Sequence, residues 1–158
     1  MQISSRFTIA IHIFAYIDYF QKEQKVTSDT LAASVNVNPA IIRRLLLQLK
    51  SAGLIEVKRG TGGTSITKPL SKITLLDVYR AVESVTNGEL FHFHEAPCNS
   101  CPVGGNIHRI LDGKLEQIQN AMEDEMETIT LEDVIHDLDY VQAADTGFPL
   151  RILGASGA

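Results

Sequence analysis

Between Asn38 and Thr67 the hydrophobic period of the chain switches from that of a helix to that of a strand, and no other feature limits its folds as strongly. Asn38-Pro39 is a helix start. Asn is a good N-cap, and Pro fits the first helical position, where its missing N–H costs nothing. Gly53 ends that helix. Ile42, Leu45, Leu46 and Leu49 fall on one face, and Ala40, Arg43, Arg44, Leu47, Gln48 and Ser51 on the opposite one. Leu54–Lys58 then reads as a strand, Arg59-Gly60-Thr61-Gly62-Gly63 as a turn, and Thr64-Ser65-Ile66-Thr67 as the returning strand.

Upstream, Ser4 or Ser5 caps a first helix carrying Phe7, Ile11, Phe14 and Ile17 and running to about Gln21. Thr27 or Ser28 caps a short second one, with Asp29 in its first turn and Leu31, Ala32 and Val35 on its apolar face. Helix, short helix, helix and two-stranded hairpin is the order of a winged helix-turn-helix. The fold class predicted is mainly α with a small β-hairpin wing.

Further on, Ile73-Thr74-Leu75-Leu76-Asp77-Val78 and Ile129-Thr130-Leu131-Glu132-Asp133-Val134 both look like capped helix starts, with Thr and Asp reaching for each other. Nothing around them matches, so they are not a repeat. Between them Ile107, Leu111, Leu115, Ile118, Met122, Met126 and Ile129 form one long helical stripe, with the first six as the expected dimer interface. Such a stripe needs a cover, and the same helix of a second subunit is the simplest one. The expected organisation is a DNA-binding domain at 1–70, a helical dimerisation and sensing region at 71–139, and a tail at 140–158 that shows no clear period.

Charge divides along the same lines. Residues 1–70 carry nine Lys and Arg against four acids, whereas residues 71–158 carry five against fifteen. An acidic protein with a basic half can still approach a polyanion, because salt screens the distant charge. A recognition helix must offer side chains to base edges and phosphates. Arg43, Arg44 and Gln48 meet that need, with Arg suited to guanine and Gln to adenine. Ser28 and Asn38 stand at helix starts suited to phosphates, and Lys58 and Arg59 stand at the wing tip. The partner these features predict is duplex DNA. Gly60-Thr61-Gly62-Gly63 is not a nucleotide loop, since it joins two strands and no Gly-Lys-Ser/Thr follows.

The chain resembles a known family at Ile3-Ser4-Ser5-Arg6-Phe7-Thr8-Ile9-Ala10, at Val35-Asn36-Val37-Asn38-Pro39 with Ile42-Arg43-Arg44, at Arg59-Gly60-Thr61-Gly62-Gly63, at Leu75–Val82, and at Cys101-Pro102-Val103-Gly104. These segments are similar to the Rrf-type winged-helix regulators, which include iron–sulfur, nitric-oxide and cysteine-metabolism regulators. The resemblance implies a bacterial homodimer joined by the long helix, and mostly repression at promoters. Carried over by position, it places DNA contacts on Ser4, Ser28, Asn38, Ala40, Arg43, Arg44 and the wing around Arg59. Cluster-binding members carry three cysteines before the long helix. This chain has only Cys98 and Cys101, which excludes an all-cysteine cluster within one subunit and places it nearer the cluster-free branch, where the resemblance implies a metabolite, a partner protein or thiol oxidation as the signal.

Four readings of the Cys98/Cys101 loop stay open: incidental surface thiols, a thiol redox switch, a zinc site with His92 and His94, and an unusual iron–sulfur site with other ligands. No resident cofactor is expected, and Cys98 and Cys101 are the candidate sensing residues. Pro102 suggests a helix start near Cys101, while Gly104 and Gly105 allow it to begin later. No nucleophile–base or acid–base pair has a recognisable spacing, so an enzyme is not expected. The rival reading is a winged-helix module used for protein contact alone, which would not need a basic wing tip. The apolar stretch Phe7–Tyr16 is too short for a membrane span and lacks a cleavage site, so a cytoplasmic protein without membrane contact is expected.

Overall fold

Helix α1 (Ser5–Phe20) turns Ala10, Ile13, Phe14 and Ile17 inward, and all four are fully buried. It opens the computed structural model, which describes residues 3–60, 62–83, 90–91 and 94–146. α2 (Ser28–Val35) begins in a capping box: the Thr30 N–H donates to Thr27 Oγ1 at 3.2 Å, and the Thr27 N–H donates to Thr30 Oγ1 at 3.0 Å. Asn36 closes it at φ 60°, a left-handed conformation that Asn tolerates.

α3 (Pro39–Ser51) starts as expected, with the Ala40 N–H donating to Asn38 Oδ1 at 2.8 Å. It buries Ile42, Leu45, Leu46 and Leu49, and Gly53 redirects the chain at φ +75°. Strands β1 (Ile55–Lys58) and β2 (Gly63–Ile66) pair antiparallel, Ile55 opposite Ile66 and Lys58 opposite Gly63. The Thr64 N–H donates to the Val26 carbonyl at 3.0 Å, which fastens this wing to the chain ahead of α2. The architecture is a winged helix, mainly α with one hairpin.

α4 (Leu75–Val82), α5 (Ile107–Thr128) and α6 (Leu131–Thr146) complete the described chain. The two Thr–Asp helix starts are both real. Thr74 exchanges bonds with Asp77 at 3.0 and 3.1 Å, and Thr130 with Asp133 at 2.8 and 3.2 Å. They also face each other. Thr74 and Thr130 form an antiparallel bridge, with the Leu75 N–H on the Ile129 carbonyl and the Leu131 N–H on the Ile73 carbonyl, each at 2.9 Å.

Two findings change the expected boundaries. Ile73, Val78, Val82 and Leu131 belong to the same core as α1, α2 and α3, so the core runs unbroken across residue 70. The chain after Tyr140 is no irregular tail up to Thr146, because it continues α6. Its period was hidden because the inward positions of that turn are polar: Asp139 is buried and Gln142 half-buried, while Tyr140 and Val141 point outward. Residues 147–158 lie outside the described part.

α5 is the opposite case, since none of its 22 residues is buried. One flank meets α4 through Arg80 and Glu123, 2.9 Å apart. Ile110 and Ile118 lie on the side turned away and are 56% and 54% exposed.

The α4–α6 junction is expected to carry much of the stability. Leu131→Ala should cost about 2–5 kcal/mol in urea unfolding with the slope unchanged. Val141→Ala, on the outer face of the same helix, should cost under about 0.5 kcal/mol. Equal losses would show that α6 is not seated through Leu131.

Candidate nucleic-acid interface

The exposed side of α3 forms a ridge between two basic clefts. One cleft, about 430 Å³, lies between α3 and the wing and is lined by Lys25, Ser28, Arg43, Lys50 and Lys58 over Leu46 and Val57. Among the described residues no acidic side chain lines it. The other, about 670 Å³, lies between α3 and α4 and is lined by Arg44, Gln48, Ser51 and Arg80. The apolar stripe of α3 creates this geometry: once Ile42, Leu45, Leu46 and Leu49 are inside, the arginines have to face out.

Arg80 is bound to Glu123 at 2.9 Å, and the other cations are held loosely. Arg43 Nη2 lies 3.5 Å from Asp29 Oδ1, and Lys58 Nζ lies 4.0 Å from Glu56 Oε2, all with side chains more than half exposed. Exposed pairs of this kind are worth about 0–1 kcal/mol, so a phosphate can replace either acid. Arg44 makes no ion pair among the described residues. Arg59 is exposed at the wing tip.

Lys25 holds that tip, its Nζ donating to the Gly60 carbonyl. Gly63 turns at φ +71°, and a Cβ there would sit 2.9 Å from Lys25 Cγ and 3.0 Å from the Val26 carbonyl oxygen. Only glycine lets the wing lie this close to the segment before α2. Thr61 lies outside the described residues.

The other expected contacts divide. Ser28 is the first residue of α2 and lines the wing cleft. Asn38 spends its side chain on the cap of α3, and Ala40 is exposed beside it. Gln48 keeps its amide oxygen buried without a hydrogen-bond partner among the described residues. That unmet acceptor favours outward rotation of the amide when a donor is offered. Ser4 stands apart from both clefts. Its hydroxyl donates to Glu83 Oε1 at 2.6 Å and accepts from Arg6 Nε at 3.2 Å.

Three contributors escape the sequence reading: Lys25, Lys50 and Arg80. Lys50 follows Arg43 by seven residues, two helical turns, and that spacing could have placed it on the same flank. Lys25 and Arg80 arrive only through the tertiary fold.

The cysteine loop is a tight turn. The Cys101 N–H donates to the Cys98 carbonyl at 3.2 Å, and the Gly105 N–H donates to the Cys101 carbonyl at 2.9 Å. A Cβ on Gly104 would meet the Cys98 carbonyl oxygen at 2.5 Å, so the turn needs that glycine. Both thiols are free and exposed. The Ser100 hydroxyl, 3.2 Å from Cys98 Sγ, and the N–H groups of Cys101 and Ser100 hold the Cys98 thiol below its ordinary pKa. The N–H groups of Gly104 and Val103 do the same for Cys101.

A helix start is not the cause, since α5 begins only at Ile107, after a 3-10 turn at Gly104–Asn106. Two adjacent glycines favour that turn over an α-helix running from Pro102. Among the described residues no three His, Cys, Asp or Glu side chains come together to hold a metal, so His94 does not join Cys98 and Cys101 in a triad. His92 lies outside the described residues.

Comparison with known proteins agrees with this geometry. The family model Rrf2, described as an iron-dependent transcriptional regulator, matches residues 3–137. YwnA of Bacillus subtilis (strain 168), named as a candidate HTH-type transcriptional regulator, is 41% identical over 136 residues, covering 86% of this chain and 98% of YwnA. A crystal structure of a candidate DNA-binding protein superposes with TM-score 0.67 at 37% identity, covering 83% of this chain and 99% of that one. IscR of T. potens shares the fold with TM-score 0.66 at 19% identity, covering 90% of this chain and 91% of IscR. No helix among the described residues is long and apolar enough to cross a membrane.

On duplex DNA, Lys50→Ala and Lys58→Ala are each expected to weaken binding to all sequences alike. Each should lower the slope of log K against log salt by about 1, as lost phosphate contacts do. Arg43→Ala and Arg44→Ala should not act alike. One should instead relax preference at a single operator position by about 1–3 kcal/mol. Unchanged slopes in both lysine variants would remove DNA from the wing cleft.

Proposed function

The chain belongs to the Rrf2 family of transcriptional regulators, which are not enzymes, and we propose that it is a homodimeric, sequence-specific repressor whose operator is a two-fold pseudo-palindrome. The observation that carries this reading is the α3 ridge with cationic clefts on both flanks. A ridge entering the major groove meets phosphates on both sides, and these clefts set cations there. The acidic residues of α5, Glu123, Asp124, Glu125 and Glu127, are kept on another element. Repression follows when a dimer seated on a promoter excludes polymerase.

The dimer reading rests on α5. A helix of 22 residues is about 33 Å long. Leaving it without one buried residue wastes apolar surface that a second copy can cover. Ile110 and Ile118 are exposed, while Ile107, Leu111, Leu115, Met122 and Met126 are half-buried along the same helix. Ile110 lay outside the expected stripe. The cleanest test is Ile110→Glu with Ile118→Glu, because both are exposed in one subunit and neither holds its fold. Selection from genomic fragments should enrich an inverted repeat with half-sites about one helical turn apart. The double variant should be monomeric by light scattering and bind that repeat at least about tenfold more weakly. A variant that stays dimeric would place the interface elsewhere, and enrichment of no inverted repeat would overturn the operator reading.

The signal we propose is oxidation of the Cys98/Cys101 pair. The turn hydrogen bond between these residues keeps their Cα atoms within about 7 Å, at the edge of disulfide reach. With hydrogen peroxide as oxidant, the two thiols give up two protons and two electrons, one S–S bond forms, and two waters leave.

A chain of hydrogen bonds leads from Leu90, ahead of the cysteine loop, to Arg80 on α4. The Leu90 N–H donates to Gln119 Oε1 at 3.0 Å, Gln119 Nε2 donates to Glu123 at 3.0 Å, and Arg80 donates to the same carboxylate at 2.9 Å. Arg80 also lines the cleft with Arg44. Closing the turn would strain this chain and tilt α5 on α4, shifting the spacing of two recognition helices that DNA fixes. Peroxide should therefore lower operator affinity of the wild type, and reductant should restore it. In Cys98→Ser/Cys101→Ser the response should vanish, and a variant as responsive as the wild type would show the thiols to be incidental.

A further inference from the structure

Leu47 stands on the crest between the two basic clefts and lines both of them. It follows Leu45 and Leu46, which are buried at 0% and 6%, yet it is 67% exposed. The core does not use it. Exposing a leucine forfeits about 1.5–3 kcal/mol of burial, and a polar side chain would serve α3 as well at this position. Its neighbours one helical turn away are Arg43 and Arg44 on one side and Lys50 and Ser51 on the other.

We propose that Leu47 reads a thymine by packing on its C5-methyl group in the major groove; the proposal rests on the DNA-binding reading given above. The surroundings select this occupant. An apolar protein surface laid over Leu47 would desolvate Arg43, Arg44 and Lys50 and offer them no anion beyond the exposed Asp29 beside Arg43. Duplex DNA supplies phosphates for the cations, and the thymine methyl is the apolar group that it displays in the major groove. Arg44 adds the register. One helical turn is about 5.4 Å and one base step about 3.4 Å, so the thymine lies one or two base pairs from the position Arg44 reaches.

The full-length protein is titrated with its selected operator and with duplexes in which each thymine in turn is replaced by deoxyuridine. That replacement removes one methyl and keeps the base pairing. Wild type should lose about three- to fivefold in affinity at one thymine in each half-site, the effect of one buried methyl. Leu47→Ala should bind the thymine and uridine duplexes equally, with the salt slope of wild type retained. Leu47→Met, which keeps an apolar reach, should preserve the discrimination. Wild type and Leu47→Ala, each on the thymine and the uridine duplex, form a double-mutant cycle that separates the contact from any effect of the methyl on DNA shape. Specific binding with a flat uridine scan, or the same sensitivity in Leu47→Ala, overturns the proposal and leaves the DNA-binding reading intact. Absence of any sequence-specific binding by wild type overturns that reading, and the proposal with it.

Discussion

The short antiparallel bridge between Thr74 and Thr130 fixes the second half of the molecule to the first. Its two backbone hydrogen bonds, each 2.9 Å, run above Ile73 and Leu131, which are 0% and 1% exposed. Backbone groups this close to the core need partners, and each strand-like residue satisfies the other. α4 and α6 therefore start from one point, and the chain between them must leave and return to it. α5 is that return path. Its position follows from where its end is anchored and from the Arg80–Glu123 contact on α4, and not from burial of its own residues.

This arrangement also explains how a chain of net charge −5 can present a basic face. The acids concentrate on α5 and α6, while the cations concentrate on α3, the wing and the segment before α2. Coulomb forces between the two sets are weak across a protein's width in salt, whereas a phosphate placed in the wing cleft would meet its cations directly. Lys25 serves this face by fastening the wing to Gly60, and Gly63 makes the close approach sterically possible.

Wherever local chemistry decides the structure, it can be read from residue order alone. Asn38-Pro39, Gly53 and the two Thr–Asp starts all appear as expected, because caps and left-handed turns depend on a few adjacent residues. The pairing of those two Thr–Asp starts could not be read, since 56 residues separate them and no residue pattern names a distant partner. The end of α6 was missed for a different reason: Asp139 and Gln142 occupy inward positions that apolar residues normally mark. At the candidate interface, Arg43 and Arg44 were legible because helical projection is local. Lys25 and Arg80 were not, since loop closure brings them to the clefts. For the cysteines, residue types placed two thiols in one loop, but only the turn reveals the N–H groups aimed at them.

Those N–H groups and the Gln119–Glu123–Arg80 contacts also restrict what kind of input can act. The Glu123 carboxyl is held below its usual range, first by the Gln119 amide and then by Arg80. A carboxyl with a depressed folded pKa contributes stability above its unfolded pKa, and that contribution is lost as pH falls through the folded value. Near neutral pH the contact is thus fully ionised and does not respond to modest pH change. The thiols differ, because hydrogen bonds favour their charged form and so bring it nearer to neutral conditions. Of these two features, the Glu123 contact is a charged strut, and the Cys98 and Cys101 thiols are the ones shifted toward their nucleophilic form. The redox input proposed above, entering at the turn and passing through these contacts, would need no buried charge to change along the way.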